Sequence, residues 1–157
     1  MEQILPVEGC RYMSVSTKCE IDDTIWMIDK RNCLYKSKEN EQFELVGNLN
    51  CFNDGRGDQY QKAKITKVNN CLFFFPTCGE CIIGYKIDND TFFRIETNPI
   101  SMLFCRACIV SGKYAYVFST AHQRALLKID LESLSCEIVP EFEENIKDYN
   151  VEENFFF

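Results

Sequence analysis

Residues 68–88 read VNNCLFFFPTCGECIIGYKID, and 42 residues later positions 110–130 read VSGKYAYVFSTAHQRALLKID. The match runs without a gap: Val68 falls on Val110, Phe74 on Tyr116, and Lys86, Ile87 and Asp88 on Lys128, Ile129 and Asp130. Asn69-Asn70 falls on Ser111-Gly112, so turn-forming residues return together with the apolar runs. A weaker third copy lies upstream, where Ile21, Asp22-Asp23, Ile25 and Met27 match Val68, Asn69-Asn70, Leu72 and Phe74.

Working outward, each copy divides into short apolar runs separated by polar turns. In the first unit, residues 19–21 and 24–28 flank Asp22-Asp23. Aspartate tolerates positive φ and bonds its own backbone, so this pair predicts a tight hairpin. Residues 33–36 and 43–46 supply two more strands. The second unit runs through 64–68, 71–75, 81–87 and 91–95, and the third through 102–110, 113–118, 125–129 and 134–139. Near the N-terminus, Ile4-Leu5-Pro6-Val7 suits a short edge strand, because proline is confined to edges. Residues 12–17 alternate with a two-residue period, which suggests a separate strand.

Four strands in a period of 42–47 residues is the pattern of a propeller blade, whose two apolar faces need neighbouring blades to cover them. Through these runs the chain resembles β-propeller repeat proteins, loosely those with kelch-type blades, although the paired glycines of a kelch repeat are absent. The resemblance implies an all-β fold of antiparallel four-stranded sheets, repeated as about three propeller-like blades. The expected organisation is one repeat domain, 1–157, with units at about 11–46, 62–96 and 101–139 and an acidic tail at 140–157. Propellers close with about 4–8 blades. Three are an incomplete ring, so the expectation is a piece of a larger propeller or a homodimer that completes the ring.

Composition narrows the partners. With 17 Lys and Arg against 24 Asp and Glu, the formal charge is −7, which disfavours nucleic acid and anionic membrane surfaces. No apolar run approaches the ~18 residues of a membrane span. The first ten residues, MEQILPVEGC, lack a basic and apolar leader. The expected location is therefore the cytoplasm, where ten cysteines are thiols rather than bridges.

Cys78, Cys81, Cys105 and Cys108 form two C-x-x-C pairs, the ligand set of a tetrahedral zinc site. Against that reading, Cys105 and Cys108 sit in one expected strand, where residues three apart face opposite sides. The other six cysteines are scattered singly, so packing thiols are preferred and no metal or other cofactor is expected. Arg56-Gly57-Asp58 reads as a turn between units, and Asp54 with Asp58 lacks the ligand run of a calcium loop. His122, the single histidine, reads as a turn residue rather than a general base. Asp88 and Asp130 read as turn caps. No catalytic residue is assigned. The expected function is a non-catalytic module that binds a protein through loops on one face of the blades. The alternatives are a propeller enzyme or carbohydrate-binding propeller with a central-channel site, and a truncated remnant without function.

Overall fold

The computed structural model describes residues 3–4, 13–38, 42–52, 59–77, 79, 81–97, 105–119 and 125–140, and for 3–4, 13–16, 105–107 and 119 the backbone alone. The described chain is nearly all strand, arranged in three antiparallel sheets that each follow sequence order. The first sheet contains β1 (Gln3–Ile4), β2 (Met13–Ile21), β3 (Thr24–Asp29), β4 (Cys33–Lys38) and β5 (Glu44–Asn48). The middle sheet contains β6 (Lys64–Val68), β7 (Cys71–Phe75), β8 (Ile83–Lys86) and β9 (Thr91–Arg94). The third contains β10 (Cys105–Ser111), β11 (Tyr114–Ser119), β12 (Ala125–Asp130) and β13 (Ser135–Ile138).

Two-residue hairpins join the first long strands of every sheet, and the turn dipeptides explain why. Asp22 and Asp23 have φ of 49° and 60°, while Asn69 and Gly112 have φ of 52° and 57° at the first turn position. Asp, Asn and Gly are the residues that enter this left-handed region at least cost. The β3–β4 connection is held by Asp29, whose Oδ1 accepts the backbone N–H of Arg31 at 2.8 Å and of Cys33 at 2.9 Å. Upstream, the two short strands expected before Asp22 are one nine-residue strand, β2, with a register shift between Val15 and Thr17. A β-bulge lets a single strand continue where strict alternation breaks.

Pairing corrects the 42-residue register. Val68 pairs with Cys71 and Ser111 with Tyr114, so the first hairpins of the middle and third sheets correspond at an offset of 43. Cys71 pairs with Lys86 and Tyr114 with Asp130, which moves the next strand to an offset of 44. Asp130 thus corresponds to Lys86 and not to Asp88. The weaker upstream copy is in true register, with Ile21 opposite Thr24 as Val68 is opposite Cys71.

A one-residue slip exchanges the faces of a strand, and the packing shows which assignment holds. Leu72 and Phe74 of the middle sheet face the first sheet, where they are buried with Trp26, Ile28, Leu34, Ile83 and Tyr85. Phe73 and Phe75 face the third sheet and pack with Ala115, Val117, Leu127 and Ile129. Both faces of β7 are therefore core, as its unbroken apolar run CLFFF requires. Two glycines make room for rings. A Cβ on Gly84 would lie 2.0 Å from the ring of Phe93, its partner across β8 and β9, and one on Gly47 of the first sheet would lie 2.7 Å from Phe92 of the middle sheet. Phe93 in turn meets Phe73 edge-on, with ring centres 6.0 Å apart.

Candidate functional site

The two ends of the stack are built differently. At one end, the long connection between the first and middle sheets is tied down by its backbone. Asn32 Oδ1 accepts the Tyr60 N–H at 3.0 Å, the Asn32 carbonyl accepts the Leu49 N–H at 2.9 Å, and the Tyr60 hydroxyl donates to the Cys81 carbonyl. At the other end lie the tight hairpins, and there charged side chains reach from sheet to sheet. Lys67 of β6 binds Asp22 of the first sheet's turn, and Lys36 of β4 comes within 3.5 Å of Asp90 beyond β8. Asn69 Nδ2 donates to Glu132 of the third sheet at 3.4 Å.

Beside these clasps, at the hairpin end between the first and middle sheets, is a cleft of about 340 Å3. Thr24, Trp26, Lys36, Lys38, Gln42, Glu44 and Ile87 line it. Its floor is fixed by aromatic packing: Trp26 meets Tyr85 edge-on at 5.8 Å, and Tyr85 leans on Phe92 at 5.0 Å. Its rim is charged. The Tyr85 hydroxyl donates to Asp90, whose carboxyl is held below its ordinary value by that bond first and by Lys36 second. Burial and the bond to Asp90 push the Tyr85 hydroxyl well above its usual range, so it remains a donor. Lys38 and Glu44 make no ion pair among the described residues.

Among the described residues, the shifted groups of the cleft move away from neutrality, Tyr85 upward and Asp90 downward. Burial pushes the Cys108 thiol up to about 12, against a pull from Lys64, and Cys136 to about 11 with help from Glu137. Cys19 and Cys51 are also raised by burial, and Cys33 by burial together with Asp29. A reactive thiol needs the opposite shift. Cys19, Cys33, Cys108 and Cys136 pack against the apolar cores, whereas Cys51 is exposed.

Cys81 is buried between the first and middle sheets, and Cys108, on β10 of the third sheet, packs into the core on the other side of the middle sheet. Cys78 lies outside the described residues, as does the Cys105 side chain. β10 departs from the strict alternation expected for Cys105 and Cys108: a register shift between Cys105 and Ala107 sets Cys105 opposite Ser119 and Cys108 opposite Val117, two residues apart on β11. Among the described residues no group of three Cys, His, Asp or Glu converges as metal ligands would. Arg56, Gly57, Asp58, His122 and the acidic tail from 141 onward lie outside the described residues. Asp130 does cap its turn, accepting the N–H of Glu132 at 2.9 Å and of Ser133 at 3.1 Å, and it also holds Lys113 at 2.9 Å. No sequence motif marked the cleft, because its residues come from β3, β4, β5 and the turn after β8.

Comparison with known proteins places the fold. No family of known proteins matches the chain, and no curated protein does. Among solved structures, the N-terminal domain of Nup159, a β-propeller, is similar with a TM-score of 0.55 and 16% identity over 87% of this chain and 35% of that one. A structure of S. cerevisiae Dbp5 bound to Nup159, Gle1, IP6 and ADP contains a chain similar at TM-score 0.53 and 15% identity, over 80% of this chain and 29% of that one. The extracellular domain of the one-component system BT4673 from B. thetaiotaomicron gives 0.56 and 15%, over 86% of this chain and 18% of that one. The chain thus spans about a third or less of these structures. The likeness is to propellers at the level of fold and does not single out kelch-type blades.

Proposed function

We propose that the chain is a non-catalytic protein-interaction module that takes a peptide segment of its partner at the hairpin end of the sheets. The observation that carries this is the cleft over Trp26: an aromatic floor and the Ile87 side chain for an apolar group, with Lys36, Lys38 and Glu44 on the rim for polar ones. At about 340 Å3 it is at the small end of ligand sites, the size of one or two side chains rather than a cofactor. Nup159, similar in fold, is seen bound in an assembly with Dbp5 and Gle1, which is consistent with interaction as the use of such a scaffold. The seven free cysteines among the described residues support the reducing cytoplasm as its place of work.

A peptide library displayed on phage, selected against the chain under reducing conditions, tests this reading. Selected peptides are expected to bind the wild type and to lose at least about tenfold in affinity on Ile87→Arg, which fills the cleft with charge. Failure to enrich any sequence, or binding indifferent to Ile87→Arg, would overturn it.

A further inference from the structure

One wall of the cleft over Trp26 is cationic. Lys36 and Lys38 stand two residues apart on β4, so they project from one face of the strand, and both line the cleft. Across the ladder Lys36 pairs with Trp26 and Lys38 with Thr24, and both partners line the cleft as well. Glu44, opposite Lys36 on β5, is the one carboxylate of the described lining. The wall thus carries two ammonium groups and a hydroxyl donor against a single acid.

The two lysines are engaged differently. Lys38 is exposed and makes no ion pair among the described residues. Lys36 lies 3.5 Å from Asp90, whose side chain is 66% exposed, so that contact is a weak one. Asp90 has a second anchor in the Tyr85 hydroxyl, which donates to it from the cleft floor. It therefore keeps its place when Lys36 turns elsewhere. In the free protein Asp90 gives Lys36 the kind of group that a ligand's carboxylate would offer.

We propose that the peptide taken at the cleft carries an acidic side chain next to its apolar anchor, and that this carboxylate binds Lys38 and draws Lys36 away from Asp90. The inference rests on the peptide reading of the cleft and names the kind of segment that fits it. The apolar group lies on Trp26 and Ile87, and the acidic one lies along the β4 wall. Glu44 makes the preference one-sided, because it repels a second acid on the β5 side. Asp90 is then a built-in competitor that holds one of the two ammonium groups until the peptide arrives.

Peptides selected by phage display supply the probe. A leading sequence is synthesised with its acidic residue and with the corresponding amide, and both are titrated by fluorescence anisotropy against the whole chain under reducing conditions. Selected sequences are expected to carry Asp or Glu within about two positions of the apolar anchor, and the amide form to bind at least about tenfold more weakly. In Lys38→Gln, at an exposed position, that gap is expected to shrink to about threefold or less. Asp90→Asn keeps the turn, since asparagine also accepts the φ of 51° found there. It is expected to tighten the acidic peptide about threefold or more and to leave the amide form unchanged. Asp88→Asn removes the same charge from the same turn, at an exposed position with no ion pair among the described residues, and is expected to alter neither. Selected peptides that lack an acidic residue, a gap that persists in Lys38→Gln, or no tightening in Asp90→Asn overturns the inference, and so does equal tightening in Asp88→Asn. Peptides lost on Ile87→Arg yet indifferent to Lys38→Gln sink the acidic preference and leave the peptide-binding reading standing. A library that enriches nothing sinks that reading and this inference with it.

Discussion

The middle and third sheets share a pairing scheme and differ in what covers them. The middle sheet is packed on both faces, by Leu72 and Phe74 against the first sheet and by Phe73 and Phe75 against the third. The third packs on the middle sheet through Ala115 and Val117, and on its other face Phe118 is buried, Tyr116 half-buried and Ile109 exposed. Large rings project from the middle sheet, and the third meets them with Ala115 and Val117 on β11 and with Leu127 and Ile129 on β12.

Truncation should expose the contrast most strongly. Phe73→Ala is expected to cost about 3–5 kcal/mol, because it empties a buried ring site between two sheets. At the corresponding position of the third sheet, Tyr116→Ala is expected to cost far less. Denaturant melts of both variants check this, and equal losses would mean that the third sheet's outward face is as covered as the middle sheet's.

Overpacking sharpens the comparison at a smaller scale. Gly84→Ala puts a methyl group on the Phe93 ring and is expected to cost about 1–3 kcal/mol, read from the same melts. The third sheet has Lys128 at that place, so Lys128→Ala is expected to stay within about 0.5 kcal/mol.

Acid should act last and least. The Asp90 carboxyl is depressed, so its contribution is present above the ordinary carboxylate range, near pH 4 and higher, and is lost as pH falls below it. Asp90 is exposed and the effect is correspondingly small. The low-pH loss should be reduced in Asp90→Asn. A loss of the same size in that variant would assign it to other carboxylates.

Much of the architecture was legible because turn chemistry and alternation are local. Asp22-Asp23 and Asn69-Asn70 marked their hairpins, and CLFFF marked a strand with no solvent face. The repeat register was not legible. The Lys-Ile-Asp identity drew residues 68–88 onto 110–130 without a gap, whereas the strands correspond at offsets of 43 and then 44. One residue more between β11 and β12 than between β7 and β8 makes the step from 43 to 44, and chemical identity along a strand does not report which face a residue occupies.

The cleft and the clasps belong to a different order of information. Lys67 and Asp22 are 45 residues apart, and Trp26 and Ile87 meet only because two sheets stack. From the sequence alone came the all-β class, the three units of four strands, to the first of which the sheet adds β1, and the hairpin turns, since backbone sterics and apolar period act over a few residues. Only the tertiary structure decided which rings face which neighbour, that Lys36 serves Asp90, and that one broad face of the third sheet is turned outward, because those depend on how separately formed sheets come to rest against one another.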